Sequence, residues 1–162
     1  MAAFRANAAA MTSRAAGKPI RLASKSLRCR YLIAHALGLA GFRGILAYTL
    51  PEALWLAATG TSDDIVVGYP TADRQALARL AADPALATSI TLMVDSVDHL
   101  DLIEKVTAGL PDVQPVRVAI DIDAGYEALG GRFRAGARRS PIRTPDQAAR
   151  FAEAIVSRPR SR

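Results

Sequence analysis

Five short apolar runs recur along this chain, and a stretch of helical character follows each of them. The runs occupy residues 20–23, 44–49, 64–69, 90–94 and 116–122. Each has the length of a buried strand, and 64–69 is nearly continuous in apolar residues, as a parallel strand covered on both faces requires. The helical stretches are 27–40, closed by Gly41, then 51–58, 71–82 and 97–109, with Ser96 placed to cap the last of these. Pro51 suits a first helical turn, where a missing amide hydrogen costs nothing, and Glu52 suits the positive end of the helix dipole. Strand followed by helix, repeated with these spacings, predicts βαβ units sharing one parallel sheet. Five such strands make about half of a (β/α)8 barrel, so the expected fold class is α/β, a partial TIM barrel.

The first strand runs directly into Lys25, within the sequence Pro-Ile-Arg-Leu-Ala-Ser-Lys-Ser-Leu-Arg-Cys-Arg at 19–30. In α/β folds the carboxyl ends of the strands form the ligand-binding mouth, so Lys25 is expected there as the last side chain the strand delivers. A lysine amine condenses with an aldehyde when its neutral form is accessible, and neighbouring positive charge and desolvation promote that form. Ser24, Ser26, Arg28 and Arg30 flank it. The common alternative is a solvated lysine at a strand end. Tyr48, Thr49, Tyr69, Asp95, Asp121 and Asp123 also fall at or just past strand ends. Each suits the mouth, and each also has an ordinary role: a buried tyrosine, a helix start at Asp95, or a turn at Asp121 and Asp123.

The octapeptide at 19–26 resembles the lysine strand of the fold-type III pyridoxal-phosphate enzymes, the alanine racemase N-terminal barrel family. The nearest branch is the one that holds D-threonine aldolase and D-serine dehydratase. Gly-Ile-Leu-Ala-Tyr-Thr-Leu-Pro-Glu-Ala from Gly44, Asp-Ile-Val-Val-Gly-Tyr-Pro from Asp64, Leu-Met-Val-Asp-Ser from Leu92 and Val-Ala-Ile-Asp-Ile-Asp-Ala-Gly from Val118 are similar to successive strand ends of that branch. The resemblance implies pyridoxal phosphate as cofactor and Lys25 as the residue of the internal aldimine. Tyr69, Asp121, Asp123 and Arg134 are then cofactor contacts, Arg134 through similarity of Arg134-Ala135-Gly136 to the family's Arg-x-Gly. It further implies aldol cleavage, dehydration or racemisation of D-amino acids, with a divalent metal only in a C-terminal region that this chain lacks. Against a full family member the chain is expected to be truncated at both ends, with weak activity or none alone. The alternatives are a non-catalytic pyridoxal-phosphate carrier, or an inactive remnant held by a partner.

The net charge of +6 comes from 21 basic and 15 acidic residues, and nine of the arginines lie between Arg132 and Arg162. No nucleic-acid motif accompanies them, so a small-molecule amino acid is the expected partner and nucleic acid is not. Homodimerisation, or association through unpaired barrel edges, is expected of so few strands. No apolar run reaches the roughly 18 residues that span a membrane. One cysteine, Cys29, fits a reducing cytoplasm. Residues 1–18 contain no acid and have the composition of a transit peptide, but Phe4, Ala8, Met11 and Ala15 fall at helical spacing, and a helix is the preferred reading.

Residues 124–143, rich in glycine and arginine, read as a long loop, and Gly130-Gly131 lacks the strand and helix context of a phosphate-binding fingerprint. Thr144, Pro145 and Gln147 form a helix start with a capping box, and that helix is expected to end near Ser157. The domain is expected to span 1–157, with 158–162 a solvated basic tail. Cys29 and Trp55 read as packing residues. His35 and His99 fall in helices, and neither lies at zinc-ligand spacing from Cys29 or a carboxylate.

Overall fold

The computed structural model describes residues 1–128 and 132–161. Helix α1 (Ala2–Ala15) leads into β1 (Ile20–Ala23), and a single turn, α2 (Ser24–Leu27), precedes α3 (Arg30–Leu37). There follow β2 (Phe42–Ala47), α4 (Leu50–Ala58), β3 (Ile65–Val67), α5 (Arg74–Ala82), α6 (Pro84–Ser89), β4 (Ile90–Val94), α7 (Val97–Thr107) and β5 (Arg117–Ile120). Two three-residue strands, β6 (Tyr126–Ala128) and β7 (Phe133–Ala135), come before α8 (Pro145–Val156). The sheet has the order β1-β2-β3-β4-β5, parallel throughout, as the alternation predicts.

The core lies against one face of this sheet. Ile45 and Ala47, Ile65 and Val67, and Ile90, Leu92 and Val94 are all buried, at the alternating positions that share a face. Leu54, Leu56, Leu77, Leu80, Leu100 and Ile103 pack onto them from α4, α5 and α7. On the other face Leu46, Val66, Thr91 and Met93 are only half-buried. The expectation of strands covered on both faces therefore holds for one face. The second is the inward face of an incomplete barrel.

An ion pair ties the amino ends of the strands. Arg21 of β1 holds Asp64, just before β3, through two nitrogen–oxygen contacts of 2.9 and 3.0 Å. Gly44 passes beneath that pair at φ +73°, where a Cβ would collide with both side chains, so glycine is required there. Thr49 caps α4, and Glu52 accepts a hydrogen bond from the amide of Tyr48 at 2.8 Å, which fixes the backbone at the carboxyl end of β2. Thr144 and Gln147 form the expected capping box at α8.

Four readings need correction. The helix expected over 27–40 is broken, because Arg28 adopts a left-handed conformation at φ 45° and a new helix begins at Arg30. The loop expected over 124–143 contains the β6–β7 hairpin, antiparallel with Glu127 opposite Arg134. Asp83 caps an additional helix, α6, through the amides of Ala85 and Leu86. The residues after α8 are not a solvated tail. Arg158 pairs with Asp101 at 2.7 Å and Glu104 at 3.1 Å, Ser161 is buried, and Val116 bridges Ser161 in parallel sense beside β5. The expectations on Gly130-Gly131 and Arg162 lie outside the described residues. No described helix is long and apolar enough to cross a membrane.

Candidate functional site

Lys25 is the second residue of α2 rather than the last residue of β1. The turn is anchored from below: Ser24 is fully buried and donates its hydroxyl to the carbonyl of Leu46 at 3.3 Å. From above, the amide of Arg28 closes the turn onto the carbonyl of Ser24 at 2.8 Å, and the Arg28 Nε donates to the Lys25 carbonyl at 3.3 Å. Backbone anchoring on both sides leaves the Lys25 side chain exposed, and among the described residues no ion pair or hydrogen bond holds its Nζ.

Strands β2 and β3 bring the aromatic partners. The Lys25 Nζ lies 6.0 Å from the centroid of the Tyr48 ring, and Tyr48 meets Tyr69 edge to face with centroids 5.6 Å apart. The Arg139 guanidinium lies 4.6 Å over the Tyr69 ring. Lys25, Tyr48, Tyr69 and Arg139 line a cavity of about 60 Å³ with Leu46 and Gly68 at its base. On the other side of Lys25 opens a cavity of about 310 Å³, lined by Arg28, Cys29, Arg30, Glu52 and Trp55 among others. This corrects the reading of Cys29 and Trp55 as packing residues. Both are exposed, and Arg30 sits 5.8 Å from the Trp55 ring.

Asp123 and Arg134 meet each other, and neither lines the cavities beside Lys25. The Asp123 side chain is 3% exposed, lies 3.5 Å from Arg134 and 3.6 Å from Arg143, and accepts the amide of Gly125 at 2.9 Å. Arg134 also reaches Glu127 at 3.5 Å. Asp121 acts through its backbone, its amide bonded to the carbonyl of Val94 and its carbonyl accepting the Ser140 hydroxyl at 2.7 Å. Asp95, at the end of β4, lies 3.1 Å from the Nδ1 of His99 in the first turn of α7. No three His, Cys, Asp or Glu side chains converge as a metal site among the described residues. A further cavity, about 390 Å³, lies by α1 and β1 between Phe4, Met11, Leu22 and Phe42, and among the described residues Arg21 is the ionisable group in its lining.

An amine at the carboxyl end of the first strand of a parallel α/β sheet, walled by residues from the next two strand ends, is now joined by sequence. Residues 1–158 match the family model described as alanine racemase, N-terminal domain. The chain belongs to that family. In shape, this alanine racemase N-terminal domain is similar to the crystal structure of D-threonine aldolase from Filomicrobium marinum, with a TM-score of 0.73 and 21% sequence identity. The likeness covers 99% of this chain and 40% of that one, and at such identity it shows the fold alone, a partial TIM barrel. No curated protein matches the sequence.

The site residue that sequence reasoning missed is Arg139. It belongs to a run of arginines with nothing to distinguish it from Arg138, and its partner Gly68 is 71 residues away.

Proposed function

We propose that this domain binds pyridoxal phosphate covalently through Lys25 and serves chemistry at the α-carbon of D-amino acids. The observation that carries the reading is the placement of an exposed amine, free of carboxylate partners among the described residues, between two aromatic walls at the mouth of an alanine racemase N-terminal domain. The residues suit the group. The Lys25 amine would take the aldehyde, Tyr48 and Tyr69 would supply aromatic walls for the ring, and Arg28, Arg30 and Arg139, which line the two cavities with Lys25, would supply positive charge for a phosphate ester. A neighbouring volume of about 310 Å³ falls at the lower end of small-molecule sites. When bound, such a cofactor supplies a conjugated ring that takes up an electron pair from the α-carbon of an attached amino acid. Lys25 would hold it at Nζ, and the same amine, when free, would serve as the base for the α-proton.

The half-buried inner face of the sheet supports work in association, either as a homodimer or against a completing chain. A lone exposed thiol at Cys29 suits the cytoplasm. The preference for D-amino acids is tested by adding D-threonine, D-serine and their L enantiomers to the cofactor-loaded protein and following its visible absorbance. The expected result is a spectral change with the D enantiomers and none with the L. An equal response to both, or to neither, contradicts the substrate assignment.

A further inference from the structure

The segment after the hairpin returns across the mouth and is pinned as it does so. The buried Ser140 donates its hydroxyl to the carbonyl of Asp121 at 2.7 Å and accepts the amide of Ile142 at 3.1 Å, while the Asp123 amide donates to the carbonyl of Ile142 at 2.8 Å. Residues 140–142 are thereby fixed over the end of β5. Arg139, one residue upstream, reaches back to the end of β3. Its Nη2 donates to the carbonyl of Gly68 at 3.4 Å, and its guanidinium stacks on Tyr69. One side chain thus spans from the fifth strand end to the third and borders the cavity that Lys25 borders.

Two nearby arginines are differently engaged. Arg134 and Arg143 are held by Asp123, and Arg134 by Glu127 as well. Among the described residues Arg139 has no carboxylate partner. A guanidinium carries five N–H donors and stays charged, and one carbonyl contact leaves most of that capacity unused. Stacking on an aromatic face holds the plane of the group without consuming its donors. That is the arrangement of an oxyanion receptor set to meet a planar or tetrahedral anion by paired hydrogen bonds.

The geometry points to Arg139 as the anchor for the oxyanion, phosphate ester or carboxylate, of the ligand held at Lys25. This rests on the cofactor reading above, and the test separates the two. Wild type, Arg139→Gln and Arg139→Lys are titrated with pyridoxal phosphate and with pyridoxal, which has the aldehyde but no phosphate, following the absorbance of the lysine adduct. The loaded proteins are then titrated with a D-amino acid and with its amide. Arg139 is exposed and makes one long backbone hydrogen bond, so both variants fold, with thermal midpoints close to wild type.

If the oxyanion is the phosphate, Arg139→Gln weakens pyridoxal phosphate about tenfold and leaves pyridoxal unchanged. If it is the carboxylate, cofactor affinity is unchanged, and the D-amino acid weakens about tenfold while its amide does not. Either result supports the assignment, with Arg139→Lys intermediate because it keeps the charge and loses the fork. An adduct at Lys25 together with wild-type titrations in Arg139→Gln overturns it and leaves the cofactor reading standing. Absence of any adduct in wild type overturns both.

Discussion

Lys25→Ala abolishes capture of pyridoxal phosphate: after incubation and borohydride reduction, the intact mass of the variant is that of unmodified protein. The chain has three lysines, Lys18, Lys25 and Lys105. Lys18 lies between α1 and β1, at the opposite end of that strand from the mouth, and Lys105 lies in α7. Among the described residues Lys25 is the lysine that shares cavity linings with tyrosine, tryptophan and arginine side chains. The loss is chemical rather than structural. Lys25 is exposed in the first turn of a short helix, where alanine is the best helix former, so stability shifts by less than about 0.5 kcal/mol. Thermal unfolding of the variant checks this. Capture by Lys25→Ala at the wild-type yield contradicts the assignment.

Leu80→Ala has the largest expected effect on the fold. Leu80 is fully buried on α5, within the layer between helices and sheet that holds Ile45, Ile65 and Leu92. Removing its isobutyl group loses the transfer free energy of the buried atoms and leaves a cavity that close-packed neighbours fill only in part. The expected destabilisation is about 3–4 kcal/mol, a large share of a total that is roughly 5–15 kcal/mol for single domains. The inward face of the sheet is half-buried, so this one layer supplies most of the core and has no second to fall back on. Urea unfolding should show a lower midpoint with the slope unchanged, whereas Val156→Ala, 83% exposed in wild type, should leave the midpoint within error.

The regular parts of this fold were legible because local signals and tertiary outcome agree. β1 and β4 fall at 20–23 and 90–94 as read, since a short apolar run between helix signals has one stable placement in a parallel sheet. The capping box at Thr144 is a purely local arrangement and was equally plain. What escaped depends on partners distant in sequence. The left-handed Arg28 has no glycine to announce it. The β6 and β7 strands, of three residues each, alternate over too short a span to signal a strand, and Glu127, Arg134 and Asp123 join across and beside the pair. The bridge from Ser161 to Val116 exists because α8 delivers the chain to the edge of β5.

The site divides in the same way. Lys25, Tyr48 and Tyr69 were legible as strand-end residues, because a parallel sheet places all of its carboxyl ends on one rim. Trp55 and Cys29 were misread from the average habits of their residue types. Both line a cavity whose walls come from residues 25–33 and 48–56, segments separated in sequence. Arg139 reaches the rim through a return segment fixed by Ser140, and nothing in its own neighbourhood reveals that path.

The central claim is that the chain forms a selective site at Lys25, and the most direct measurement is a peptide mass map of the wild-type protein after borohydride reduction with pyridoxal phosphate. The expected result is one stoichiometric adduct, on the peptide carrying Lys25 and on no other. Labelling spread over Lys18, Lys25 and Lys105, or no labelling, would contradict it.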